Sequence, residues 1–457
     1  MKKTFQPLLL TILIYMLFSG CQKENYSPAL LDVPDDAFLA AMIESGVDTD
    51  GDGKVSFVEA GAYKELYVAN NGITDLTGIE SFVRLEVFYC QGNQLTSLDL
   101  SKNTALKNLY CSGNQISSLD ISNCNSLQVL SCSLNPLGKL DVSKHSDLLL
   151  IRCHSCNLTV LDISNNHLLE YLHCNDNELS ELNLSKNPKL KELYCESNHS
   201  MPTVDLSNNP ELLHLNCNNN SFISLDISSN INMDILECSN NSLTNLDVSD
   251  NLKLRALDCS INKLSSLNVS DCPILGSLDC ENNQLISLDI MDANALGNLN
   301  CGYNELTCLD ASANTGLGVI YCNDNLLNSL DVSNNPRLVL LVANNNKLLD
   351  LDLTRNTGLK RLICGGNQLT GLDLSGNHDL DLLQCGGNLL TSLDLSNNPE
   401  LGWGASYIGG QINKDIILSD MPDLGEVCVW TLPFPPEGIS VDTSSSPKVY
   451  FTLECSQ

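Results

Sequence analysis

The sequence predicts a repeat solenoid, with a parallel β-sheet along its open face and mostly irregular chain on the opposite side. Two observations predict it. Cys90, Cys111, Cys132, Cys153, Cys174 and Cys195 stand 21 residues apart, and after one extra residue the series resumes at Cys217, Cys238, Cys259, Cys280, Cys301 and Cys322, then Ala343, Cys364 and Cys385. Around each lies one template, L-x-x-L-x-C-x-x-N-x-L-x-x-L-D-[LVI]-S-x-N, which residues 359–377 fit at every place. A fixed period of this size means that each repeat is one coil and buries its apolar face only against its neighbours.

At 457 residues the chain exceeds one ordinary globular core, a limit that a solenoid escapes by growing in one dimension. Its formal charge of −31 argues against nucleic acid or anionic lipid surfaces as partners, since both need clustered Lys and Arg. The bias toward Leu, Asn, Asp and Ser belongs to an ordered repeat and not to disorder, because the apolar spacing is regular.

Residues 1–20 read as an export signal, with Lys2 and Lys3 before an apolar run at 8–18 that is too short to span a bilayer. Leu17-Phe18-Ser19-Gly20-Cys21 resembles a bacterial lipobox, in which Cys21 becomes the lipid-modified first residue. Phe18 departs from the usual aliphatic residue, and the alternative is an ordinary secretory signal with an incidental Cys. Gln22 is compatible with sorting to the outer membrane, so the resemblance implies a lipid anchor there. Residues 21–31 follow as a tether.

Residues 32–66 read as a small helical N-terminal cap. Asp32 is the expected helix cap, with Pro34 in the first turn, Phe38, Leu39, Met42 and Ile43 on one face, and Gly46 as the stop. Residues 48–59 then match a 12-residue EF-hand loop at each diagnostic place. Ca²⁺ wants six to eight oxygens. Asp48, Asp50 and Asp52 offer carboxylates, Lys54 its carbonyl, Ser56 a water-bridged contact and Glu59 two oxygens, while Gly53 permits the sharp turn. Val55 is expected to pair with a neighbouring loop or pack inward. With no second copy of the loop, one structural Ca²⁺ is expected; the alternative is a metal-free acidic turn.

Residues 67–401 form the predicted solenoid of 21–22-residue coils. The short strand is expected at the L-x-C part of each coil, as at Leu109-Tyr110-Cys111, with Leu109 and Cys111 inward and Tyr110 outward. Leucines, cysteines and an asparagine column (Asn93, Asn114, Asn135, Asn177 and onward, with Cys156 replacing one) then line the interior. The template resembles bacterial leucine-rich repeats of internalin type, and the cysteine-for-leucine exchange is similar to the cysteine ladder of internalin J. With the lipobox and the acidic loop, the chain looks closer to leucine-rich lipoproteins of Bacteroidetes. The resemblance implies extracellular binding or adhesion.

In-register side chains on stacked strands point the same way, which suits neither disulfides nor a tetrahedral metal cage, so the ladder cysteines are expected reduced and buried. A column of Asp residues (Asp99, Asp120, Asp141, Asp162 and onward) followed by Ser two places later reads as hydrogen-bonded turns, with a row of bound cations as the alternative. Residues 402–457 lose the template and gather Trp403, Tyr407, Trp430, Phe434, Tyr450 and Phe451, a C-terminal cap with a strand near 449–453. Cys428 and Cys455 form a candidate disulfide across it.

The residue before each ladder position should face out. This row runs from aromatic and mildly basic (Tyr89, Tyr110, Arg152, His173 and Tyr194, helped by His154, Tyr171 and His214), through acidic (Glu237, Asp258, Asp279, with Glu281), to apolar (Val342 and Ile363, with Val319, Leu340 and Leu382). Tyr and Arg are favoured binding anchors. The first part is therefore the candidate face for a protein or glycan partner on a monomer; a structural envelope component without a specific ligand is the alternative. The sequence shows no phosphate loop or zinc signature, and the histidines face away from the cysteines, so no enzyme is expected.

Overall fold

A computed structural model shows the predicted solenoid. It describes residues 29–402, the backbone of 407–408 and 411–412, and 416–454. The export signal and Cys21 lie outside the described residues.

Each coil contributes a short strand, of three residues in most, such as Asn108–Tyr110, to an 18-stranded parallel sheet. The strand begins one residue earlier than the expected L-x-C segment. Its facing is as expected: Leu109 is buried and Tyr110 turns outward. Cys111 follows the strand and still donates its N–H to the Ser131 carbonyl of the next coil at 2.8 Å. Strands pair in register, with Tyr89 opposite Tyr110 and Tyr110 opposite Ser131. The extra residue of the template leaves this register intact, since Tyr194 still faces Asn216. It is absorbed after Asn198 in a turn closed by Met201 N–H to the Asn198 carbonyl, 2.9 Å, and Met201 is buried.

The asparagine column performs the closing chemistry. Asn114 donates Nδ2 to the carbonyls of Cys90 and Cys111, both at 3.0 Å, while its Oδ1 accepts from Leu95 N at 3.0 Å. One amide thus satisfies three backbone groups in two coils. Where Cys156 replaces asparagine, its thiol reaches the Cys132 carbonyl at 3.3 Å but offers no amide oxygen. Leu137 N–H then turns to the carbonyl of Asn135, 2.8 Å.

A second asparagine column, at the last letter of the template, is equally structural. Asn103 is fully buried and donates Nδ2 to the carbonyls of Ile79 and Phe82 at 2.9 and 3.1 Å. Asn166, Asn187, Asn209, Asn230 and Asn251 repeat the arrangement. His145 takes one place in this column and puts Nε2 3.0 Å from the Ile121 carbonyl.

The ladder cysteines, including Cys111, Cys174, Cys322 and Cys385, are fully buried and free. Burial pushes these four thiols up to about 12, so the reactive thiolate is suppressed near neutral pH. The Asp column resolves as turns: Asp99 Oδ1 accepts from Ser101 N at 2.9 Å, and Asp120, Asp141 and Asp162 do the same with Ser122, Ser143 and Ser164. Those bonds hold these carboxyls below their usual range.

The caps depart from the expected boundaries. Helix α1 spans Asp36–Glu44 and α2 Phe57–Ala62. Asp35, not Asp32, caps α1, because Pro34 precedes the helix and leaves the next carboxylate facing Phe38 N at 2.9 Å. The other Asp35 oxygen accepts from Thr74 N at 2.8 Å, Thr74 Oγ1 at 2.9 Å and Asp75 N at 3.1 Å. One carboxylate therefore ties the cap to the first coil. Residues 29–31 do not belong to the tether: Leu31 N donates to the Val55 carbonyl and Phe57 N to that of Ala29, at 2.9 and 3.0 Å. This edge supplies the pairing expected of Val55, which is also buried. The sheet begins at Glu65–Tyr67, which pairs with Val87–Tyr89, two residues before the expected start of the solenoid.

At the other end the coils outlast the template. Ile416–Ile417 pairs with Leu383 and Gln384, and Val441–Asp442 pairs with Ile416–Ile417. Backbone pairing tolerates the lost consensus because buried Leu418, Met421, Leu424 and Val427 keep the apolar spacing. Tyr450–Thr452 pairs with Glu426–Cys428 on the opposite side, where Trp430, Phe434 and Phe451 interlock with ring centroids 5.1 and 4.8 Å apart. Leu453 is exposed, so the expected apolar side of this strand ends at Phe451. Trp403 and the Tyr407 side chain lie outside the described residues.

Burial decides which thiols can react. Treating the native chain with a maleimide and mapping peptides should label Cys308, the exposed free cysteine among the described residues, and leave the ladder unlabelled until denaturant is added. Native labelling at many ladder positions would contradict the packed interior.

Candidate functional site

The register of the sheet turns the outward residues into continuous stacks. Tyr67, Tyr89 and Tyr110 sit on adjacent strands, each pair of rings 4.7 Å apart, and the Tyr89 and Tyr110 rings are parallel within 3°. Tyr67, where the solenoid was expected to start, belongs to this stack as well. Its signal was the E-L-Y triplet at 65–67, which matches the strand triplet at 192–194.

Beyond Ser131 a second cluster begins. Arg152 lies opposite His173 and His173 opposite Tyr194, while Tyr171 and His214 flank Glu192. The His173 and Tyr194 rings are 4.5 Å apart, and the Tyr194 and His214 rings 4.8 Å. His154 lies just after its ladder cysteine, with Nδ1 3.3 Å from Ser155 Oγ. The structure thus brings the eight expected residues into two patches, Tyr89 with Tyr110 and the other six together.

Glu192 and Glu196, absent from the outward row, join Glu237 in tuning the second patch. Tyr194 Oη lies 3.0 Å from His214 Nδ1, and His214 Nε2 lies 3.0 Å from Glu237 Oε2. These contacts fix the two rings, and burial, then Glu192, Glu237 and Glu196, push the Tyr194 phenol up. Burial, then Arg152, His154 and His214, lowers His173 to about 4, and burial also lowers His154. Both are neutral near pH 7. Burial raises Glu196 to about 7.

The middle of the face is acidic as expected. Asn300 Nδ2 bridges Asp279 Oδ2 and Glu281 Oε2 at 3.2 and 2.8 Å, and burial raises Asp279. The apolar end is not an open patch: Leu382 is fully buried and Val342 nearly so, where Ile416–Ile417 extends the sheet past them.

In the acidic loop, oxygens of Asp48, Asp50 and Asp52 lie within 4.8 Å of one another. Gly51 and Gly53, both with φ near +75°, aim their N–H groups at Asp48, at 2.7 and 2.9 Å. Lys54 sits at the surface with its N–H on Asp52 Oδ1, 2.8 Å. Ser56 caps α2 and is nearly buried. Glu59 completes that capping box, its Oε2 accepting from Ser56 N and Oγ at 2.9 and 2.8 Å, while its Oε1 accepts from Thr49 N and Oγ1 at 2.7 and 2.8 Å. Burial acts upward on Glu59, but these four bonds prevail and hold it at about 2, permanently ionised at neutral pH. The all-oxygen donor set suits a hard cation.

Cys428 is disulfide-bonded, but Cys455, like Cys21, lies outside the described residues.

Glu196 supplies a pH test. Its folded value of about 7 exceeds its ordinary 4.5, so folding favours the protonated form and stability falls as pH rises between those two values. Glu196→Gln should therefore raise the urea midpoint at pH 8 and leave it unchanged at pH 4. Equal shifts at both would show that this carboxyl is not held up.

No protein-family model and no curated protein matches the chain. Among solved structures, the functional domain of InlJ from Listeria monocytogenes, which includes a cysteine ladder, is 30% identical over 86% of this chain and 80% of its own, with a TM-score of 0.70. A Leptospira interrogans leucine-rich repeat protein (19% identity, 87% of this chain and 97% of its own, TM-score 0.64) and the internalin InlF of L. monocytogenes (22%, 68% and 96%, 0.62) share the fold. With its coils, asparagine columns and cysteine interior already in view, the chain belongs to the leucine-rich repeat proteins of the cysteine-ladder type represented by InlJ.

Proposed function

We propose that this chain is a non-catalytic recognition protein, anchored through Cys21 to the outer membrane, whose N-terminal open face binds a protein partner. The observation that carries the reading is the pair of aromatic patches, Tyr67-Tyr89-Tyr110 and His173-Tyr194-His214, fixed in register on the sheet. Rings held by stacking lose little side-chain freedom on binding, and Tyr and Arg dominate interface hot spots. His154 and His173 are neutral, which leaves Arg152 as the charged anchor among rings. Changing Tyr110, Arg152, His173 and Tyr194 together to Ser should abolish capture of cell-surface proteins by the immobilised chain while leaving its melting curve intact. Unchanged capture would remove this face from consideration and favour a purely structural envelope role.

The acidic loop is proposed as a single structural Ca²⁺ site. Asp48, Asp50, Asp52 and Glu59 would ligate through carboxylates and Lys54 through its carbonyl, and Ser56 would hold Glu59 from the capping box. The bound ion would offset repulsion among the carboxylates and brace the cap against the first coil. Calorimetry should show one Ca²⁺ per chain, lost in Asp48→Asn and weakened about tenfold or more in Glu59→Gln. No heat on titration with Ca²⁺ would leave the loop as a hydrogen-bonded acidic turn.

A further inference from the structure

The last rungs of the open face differ from the rest. After the ladder residue most coils carry at least one side chain, but two successive coils carry Gly365-Gly366 and Gly386-Gly387. Their packing compels this: a Cβ on Gly365 would meet the Gly386 carbonyl oxygen at 2.9 Å, and one on Gly386 would meet that of Ser419 at 2.7 Å. With four side chains missing side by side, a cleft of about 500 Å³ opens beside the sheet. Its lining includes Val342, Ile363 and Ile417, all from outward sheet positions.

Tyr303 forms part of the wall although its backbone lies at φ +51°. Other coils mostly place Gly, Asn, Asp or Ser at this left-handed position, which an aromatic residue adopts at a cost of about 1 kcal/mol or more. The ring stays about half exposed at the cleft. Asn323 and Asn345 line the same wall, and both donate Nδ2 to Asp324, at 2.9 and 2.8 Å. The shared carboxylate sets both amides in place. Asn344, Ser419 and Asp420 add further donors and acceptors.

We propose that this cleft binds an uncharged carbohydrate chain. None of its lining residues is cationic, so an anionic ligand meets no counter-charge. The sheet beside it is paired on both sides there, Ile363 with Val342 and with Gln384, so an extended peptide finds no free strand edge to join. What the cleft does offer is a ring, an apolar floor and an array of fixed amide and hydroxyl groups, the complement of a sugar's C–H faces and hydroxyls. The site is separate from the Tyr194 patch and does not depend on it.

The test titrates the full chain with maltohexaose, cellohexaose, mannohexaose and xylohexaose, and with an uncharged Gly-Asn hexapeptide, read by saturation-transfer NMR and calorimetry. One hexasaccharide should bind with Kd between about 10 μM and 1 mM. Ile363→Trp, which fills the cleft from an outward position, should abolish binding, and Tyr303→Asn, which suits the left-handed backbone and preserves the fold, should weaken it about tenfold. The Tyr110/Arg152/His173/Tyr194 variant should bind normally. Binding by no hexasaccharide, binding by the peptide alone, or affinities unchanged in both cleft variants would overturn the proposal.

Discussion

The structure depends on side-chain amides that close one coil onto the next. A solenoid turns sharply several times per coil, and every turn leaves backbone carbonyls and N–H groups facing a dry interior. An orphaned group there costs about 1–3 kcal/mol. Asn114 meets this demand by donating twice and accepting once across two coils. Only a planar group with two donors and an acceptor on a short stem does so, which explains why neither Asp nor Gln takes the place. The second column, from Asn103, uses donation alone to bind the opposite side. The coil is thereby tied at two corners, and its dimensions are fixed for every residue between them.

The cysteines follow from those fixed dimensions. Between two hydrogen-bonded corners the strand must pass close to its neighbours, and the interior beside it takes a small apolar group. A thiol fills that space, and Ala343 shows that its methyl also fits. The chemistry of sulfur is therefore a hazard that the packing contains. Burial raises Cys111 to about 12 and leaves it protonated, so its sulfur stays unreactive at neutral pH.

Much of this was legible in the sequence. The period, the inward ladder and the outward row with its aromatic and acidic parts follow from alternation and spacing, and the register holds them across the inserted residue, whereas the apolar part is largely buried under the added coils. The failures have physical reasons. Asp35 displaced Asp32 as the helix cap because Pro34 precedes the helix, and its second oxygen reaches Thr74, a contact 39 residues away that no local pattern shows. The coils beyond Leu401 were missed because parallel pairing needs apolar spacing and not the N-x-L consensus. Glu237 stood in the outward row, but its contact with His214 crosses between coils, where spacing predicts proximity and not ring orientation. The second column of asparagines stood in the template, but spacing alone gave its amides no role.

The division between fixed and free positions explains how one scaffold carries distinct surfaces. Leu109, Cys111 and Asn114 commit their side chains to the interior, whereas Tyr110 joins the coils through its backbone alone, so the outward row can change composition every few rungs without altering the register. The left-handed position two places after the ladder residue lies between these classes. Its backbone is set by the coil, at φ from 51° to 69° in coil after coil, while its side chain reaches the surface. Most coils obey the backbone and use Gly, Asn, Asp or Ser. Leu134, Ile261 and Tyr303 disobey it, and each keeps about half its side chain in water, so burial does not repay the strain. Of the three, Tyr303 stands beside a cleft whose walls are already ordered by Asp324, and there the unfavourable choice acquires a use.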